Sequence, residues 1–210
     1  MSAPERFRDL LAQCPLIAII RGVDPQAAAE VGEALYEGGI RIIEVPLNSP
    51  QPLDSIARLR RRLGDRAMVG AGTVLRVEEV SAVAAAGGEL IVSPVTTREV
   101  IDASAAGGLV SCPGFFTPTE AFAAIDAGAH ALKLFPAEAA SPAVLAALRA
   151  VLPREVPVIV VGGVTPQSMA AWKDASATGF GLGSGLYRPG QSPSETLNKA
   201  RAFVAALRGQ

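Results

Sequence analysis

A closed parallel barrel of strand–helix units is the fold this sequence predicts, and three observations predict it. Short apolar runs alternate with helical patterns at a spacing of about 20 to 28 residues. The runs are continuously apolar, as in a parallel sheet buried on both faces. Eight of them fit into the 210 residues, the number that closes such a sheet on itself. No Ser/Gly linker, charge block or low-complexity stretch marks a boundary, so residues 1–210 are expected to form one domain, a single (β/α)8 TIM barrel. A doubly wound open sheet is the alternative. Its usual glycine-rich dinucleotide turn is absent after the first run, where Arg21-Gly22-Val23 stands instead.

In chain order the expected strands are Leu16 to Arg21, Ile40 to Val45, Met68 to Gly72, Leu90 to Ser93, Leu109 to Pro113, Ala131 to Phe135, Val158 to Val161 and Gly179 to Leu182. Between them lie alanine-rich segments with helical periodicity, among them Ala27 to Tyr36, Val77 to Ala86, Glu120 to Ala127 and Pro142 to Val151. Helix starts are expected at Asp24-Pro25, Ser49-Pro50, Thr117-Pro118, Ser141-Pro142, Thr165-Pro166 and Ser192-Pro193. In each, a side-chain oxygen can accept an unpaired backbone N–H, and proline at the first helical position has no donor to orphan. Thr117 with Glu120, and Ser192 with Glu195, also have the spacing of a reciprocal capping box. Glycines at 38–39, 64, 87–88, 107–108 and 128 follow the helical stretches, where a left-handed residue ends a helix.

Composition excludes several function classes. Half the residues are hydrophobic, 19% are charged and the formal net charge is −1, so no basic surface for nucleic acid is expected. The longest apolar runs are far too short to span a bilayer, and Met1 to Leu11 lacks a signal-peptide core, which together point to a cytoplasmic protein. Cys14 and Cys112 are isolated and His130 is the sole histidine, so neither a structural zinc site nor a His-centred triad is expected.

Active sites of such barrels lie at the C-terminal ends of the strands. Arg21 ends the first run, Glu44 nearly ends the second, Thr73 follows the third, Ser93-Pro94 the fourth, and Lys133 lies within the sixth. Period-two alternation puts Ile17, Ile19 and Arg21 on one face, likewise Ile40, Ile42 and Glu44, and likewise Ala131, Lys133 and Phe135. Lys133 is one of three lysines, and the other two, Lys173 and Lys199, fall in polar helical stretches. Burial lowers the pKa of an amine, and a neutral amine forms a Schiff base with a carbonyl. Gly162-Gly163 and Gly181-Leu182-Gly183-Ser184-Gly185 follow the seventh and eighth runs, the usual phosphate loops of this fold. Together these residues describe imine chemistry on a 2-oxo acid with a distal phosphate. Lys133 would be the nucleophile and Glu44 the acid/base. Arg21 and Thr73 would hold the carboxylate, with Gly162, Gly163, Gly183 and Ser184 on the phosphate. Blander readings are a structural ion pair of Arg21 and Glu44 with Lys133, simple glycine turns, and Thr73 as a helix cap.

These motifs resemble the class I 2-keto-3-deoxy-6-phosphogluconate and -phosphogalactonate aldolases across nearly the whole chain. The residues that carry the resemblance are Ile19-Ile20-Arg21-Gly22, Ile43 to Pro50, Gly70 to Val74, Pro113-Gly114, Leu132 to Glu138, Val161 to Pro166 and Gly181 to Ser184. The resemblance implies a Schiff-base Lys133, an acid/base Glu44, no metal or organic cofactor, a homotrimer, and release of pyruvate and glyceraldehyde 3-phosphate. Pro46 and Asn48 stand where the phosphogluconate branch typically has a threonine-arginine pattern, and Val161 where it tends to have threonine. The galactonate epimer is therefore the expected substrate, with Val161 and Asn48 as specificity residues and galactonate degradation as the setting. Alternatives are the gluconate epimer and a non-catalytic sugar-phosphate-binding barrel. A metal-dependent or acid/base sugar-phosphate epimerase fits poorly, because it needs histidine ligands or paired carboxylates.

Overall fold

The structure, a computed structural model, describes residues 1–209. Its strands are β1 Leu16–Ile19, β2 Ile42–Pro46, β3 Met68–Gly72, β4 Leu90–Val92, β5 Val110–Cys112, β6 Gly114–Phe115, β7 Leu132–Leu134, β8 Val158–Val161 and β9 Gly179–Leu182. All pair in parallel in the order β5-β4-β3-β2-β1-β9-β8-β7-β6. Pro113 splits the fifth expected strand in two, because proline has no N–H to give to the ladder. β5 pairs with β4 while β6 pairs with β7, so the chain running through Pro113 joins the two ends of the sheet. A Cβ on Gly114 would overlap the Pro94 carbonyl, so this tight join admits only glycine there. The eight expected strand positions make the expected barrel.

Helices α1 Ala3–Gln13, α2 Pro25–Glu37, α3 Pro52–Leu63, α4 Val77–Ala85, α5 Arg98–Ala106, α6 Pro118–Asp126, α7 Pro142–Arg149, α8 Met169–Asp174 and α9 Pro193–Leu207 accompany the strands. Asp24, Thr117, Ser141 and Ser192 cap helices as expected, each side chain accepting a first-turn backbone N–H. Thr117 and Glu120 form both arms of the capping box, whereas the Glu195 carboxylate turns to Lys199 at 2.9 Å. Two expected starts move. Ser49 does not cap α3; its hydroxyl accepts the Gly22 N–H at 2.9 Å, and α3 begins at Pro52 after Gln51 in the left-handed region. Thr165 and Ser168 cap one another across a turn, and α8 begins only at Met169.

Two apolar layers result. One lies between strands and helices; the other fills the barrel with Ile17, Ile19, Ile42, Met68, Leu90, Val92, Val110, Cys112, Ala131, Ile159 and Val161. Ile40 departs from the expected alternation and belongs to the outer layer, because β2 starts two residues later, at Ile42. α1, within which no strand or site was expected, closes the N-terminal end of the barrel by adding Phe7, Leu10 and Leu11 to the inner cluster. Arg6 fastens it from below, donating to Glu89 at 2.6 Å and to the Ala67 carbonyl at 2.9 Å. With one end plugged by side chains, the polar residues at the strands' other ends face the open mouth.

Candidate active site

Lys133 is the middle residue of β7, in register with Gly114 on β6 and Ile159 on β8. Only 6% of its surface is exposed, and its ammonium lies 4.6 Å from the centre of the Phe135 ring. Glu44, in register with Ile19 and Gly70, is 1% exposed. Both side chains line a small void of about 10 Å3 inside the barrel mouth, with Cys112, Val92, Val161 and Gly181 among its other walls. That volume is of the order needed to accept a single water. The structural ion pair weighed from the sequence does not form. Glu44 Oε2 has no hydrogen-bond partner among the described residues, and Lys133 enters no ion pair there.

Desolvation governs both groups. Burial pushes the Glu44 carboxyl up to about 7 against the lowering influence of Lys133 and Arg21. Burial also lowers the Lys133 amine, while the neighbouring Glu44 and Cys112 oppose that shift. The Cys112 thiol, fully enclosed, is pushed up to about 12 and stays protonated at neutral pH. Lys133 is thereby brought nearer to the neutral nucleophile, beside a carboxyl that changes charge close to neutrality.

Above the void a larger cavity of about 350 Å3 opens at the C-terminal ends of the strands. Lys133 and Val161 line both spaces. Gly162 and Gly163 after β8 and Gly183 and Ser184 after β9 line the larger one, so all four expected phosphate-loop residues meet over the lysine. Val161 leans over its register partner Gly181 on the adjacent strand β9, where an added Cβ would come 2.6 Å from the valine methyl. Arg21, Asn48 and Thr73 form a separate polar group at the rim. Arg21 donates to Asn48 Oδ1 through one terminal nitrogen and to Thr73 Oγ1, at 3.5 Å, through the other. Asn48 and Thr73 do not line the cavity; they hold the arginine that does. Thr73 is not a helix cap, since α4 starts at Val77 behind Arg76. Its φ of 59° is a left-handed conformation that a β-branched residue adopts only under constraint.

Ser93 is absorbed by structure, donating to the Val74 carbonyl at 2.7 Å. His130 accepts the Ser111 N–H through Nδ1 at 3.1 Å, at the start of β7 and away from the mouth. Cys14 is a free, buried thiol. Cys112, Glu138 and Arg188 reach the two site spaces without having been singled out from the sequence. Alternation along the fifth run marks Cys112 as inward, but nothing local reveals which neighbours an exposed Glu138 or Arg188 will meet.

A buried lysine, a buried carboxyl and two glycine-rich loops thus share one barrel mouth. The model of the KDPG and KHG aldolase family matches residues 7–200, and the chain belongs to that family. It is 51% identical over 195 residues to the 2-dehydro-3-deoxy-6-phosphogalactonate aldolase of Escherichia coli K12, covering 92% of this chain and 95% of that one. Its fold superposes on a solved structure described as native KDPGal with a TM-score of 0.92 at 49% identity, covering 94% of this chain and 96% of the other. A more distant match, 25% identical with a TM-score of 0.76 and 95% coverage of both chains, is the KDPG aldolase of Legionella pneumophila with pyruvate captured as a covalent carbinolamine.

Proposed function

We propose that this chain is a Schiff-base aldolase cleaving 2-dehydro-3-deoxy-6-phosphogalactonate to pyruvate and glyceraldehyde 3-phosphate. The observation that carries this reading is the placement of Lys133 and Glu44, both buried and neither ion-paired among the described residues, on the walls of one void, with Lys133 also lining the cavity of the two glycine loops above it. The Lys133 amine attacks the C2 carbonyl, and the carbinolamine loses water to give an iminium. Glu44, directly or through one water in the void, takes the proton from the C4 hydroxyl. The C3–C4 electron pair then moves into the iminium, the aldehyde leaves and an enamine of pyruvate remains. Protonation at C3 and hydrolysis release pyruvate and restore the amine.

Arg21, held by Asn48 and Thr73, binds the substrate carboxylate, and the loops at Gly162-Gly163 and Gly183-Ser184 take the phosphate, which fixes the reacting bond over the lysine. The sequence needs no metal or organic cofactor for these steps. A cytoplasmic homotrimer completes the reading. In support of assembly, Leu75, Val77, Val95, Phe116 and Phe122, on consecutive units of the barrel, expose apolar surface that association between copies would remove from water. No helix of the described residues is long and apolar enough to cross a membrane.

Intact mass and peptide mapping after treatment with pyruvate and borohydride test the imine. An adduct on Lys133, absent in Lys133→Ala, is expected; its absence from folded wild type would leave only a sugar-phosphate-binding barrel. Substrate choice is tested separately with the two C4 epimers. The valine methyls of Val161 offer no hydrogen bond to a C4 hydroxyl, so the galactonate epimer should have the higher kcat/KM, and Val161→Thr should move the ratio toward gluconate by about 10-fold, the scale of one weak polar contact. Equal or better cleavage of gluconate by wild type would reassign the substrate.

A further inference from the structure

The cavity above Lys133 has four charged side chains on its walls, Arg21, Lys133, Glu138 and Arg188. Arg21 is engaged with Asn48 and Thr73 at the rim, and Lys133 is taken up by the imine. What remains at the glycine loops is one acid and one base. The Glu138 carboxylate lies against the Gly162–Gly163 turn so closely that a Cβ on Gly162 would overlap it. Arg188 stands on the other loop, where its Nε donates to the Ser184 carbonyl at 3.2 Å. That bond fixes the guanidinium beside Ser184 and is its only hydrogen bond among the described residues, so both terminal nitrogens keep their N–H groups free.

Backbone N–H groups alone would have to hold a phosphate dianion next to a carboxylate, an arrangement that like-charge repulsion disfavours. A guanidinium aimed at the same place reverses the balance, and its planar fork suits phosphate oxygens. We infer that Arg188 is a phosphate-binding residue of this site and that the opposed charges of Arg188 and Glu138 set how strongly the enzyme prefers a phosphorylated acid over its unphosphorylated counterpart. The inference rests on the aldolase reading above and adds to it a residue outside the glycine loops.

The readout is the ratio of kcat/KM for the phosphorylated acid to that for the same acid without phosphate. In Arg188→Leu the ratio is expected to fall by about 10- to 100-fold, the range for losing a charge-assisted hydrogen bond. Arg188→Lys, which keeps the charge and loses the fork, should fall between. Glu138→Gln, which removes the opposing charge, should raise the ratio. If Arg188 only braces the Ser184 loop, both substrates lose activity together and the ratio stays within about twofold of wild type, which overturns the inference. Borohydride trapping of pyruvate on wild-type Lys133 keeps the two proposals distinguishable: without an adduct the aldolase reading fails, and with an adduct but an unmoved ratio only the role of Arg188 fails.

Discussion

Burial holds the Glu44 carboxyl at about 7, against an ordinary value of 4.5, so this side chain changes charge where the reaction must move protons. Its replacement by glutamine should lower kcat by about 10²- to 10⁴-fold, the usual contribution of a positioned acid/base, and remove a limb near neutrality from the pH–rate profile. A profile that keeps that limb in Glu44→Gln would assign the titration to another group. Stability should respond in the opposite sense. The folded state holds the Glu44 proton more tightly than the unfolded chain, so between pH 4.5 and about 7 stability falls as pH rises, and it is flat above that window. Glu44→Gln removes the cost of the buried charge, so at pH 8 it should be more stable than wild type, by about 3 kcal/mol, and at pH 4 barely different. Urea unfolding at the two pH values measures this.

At the scale of strands and helices, period-two alternation was enough to place Glu44 and Lys133 inside the barrel, since a strand in this sheet has only two faces. It misplaced Ile40, because the period says nothing about where pairing begins. Caps were legible where serine, threonine or aspartate directly precedes the helix. Ser49 and Thr165 share that local pattern, yet Ser49 is recruited by Gly22 from a neighbouring loop and Thr165 by the turn at Ser168, competitions that only the folded chain sets up. β3 supplies the sharpest test of an element's role. Gly72 ends it directly against Glu44, and an added Cβ would overlap the carboxylate. Gly72→Ala should displace that carboxylate and lower kcat by about 10²-fold, the scale of a 1 Å misplacement. Near-wild-type kcat in this variant would mean that Glu44 has room to relax without loss.

For the molecule as a whole, the barrel works as a chemical vessel because it is closed below and open above. α1 provides the closure, with Phe7 fully buried among the inner ends of the strands. Phe7→Ala should cost about 3–5 kcal/mol in urea unfolding, as expected for a large side chain deleted from a packed core. The partly exposed Phe122 has no such environment within the chain, and Phe122→Ala in dilute protein should cost no more than about 0.5 kcal/mol. Similar losses for both would contradict the plug.

Sequence alone determined the barrel, the mouth as the reactive end, and the inward lysine and carboxyl, because burial on both faces and side-chain alternation are local properties that eight successive runs repeat. Only the tertiary structure decided that Pro113 splits a strand at the closure, that α1 stoppers the base, that Asn48 and Thr73 act on Arg21, and that Glu138 and Arg188 converge on the glycine loops. Those outcomes depend on residues distant in sequence meeting across a closed ring, and their separation in space is fixed by packing and register, to which no local pattern refers.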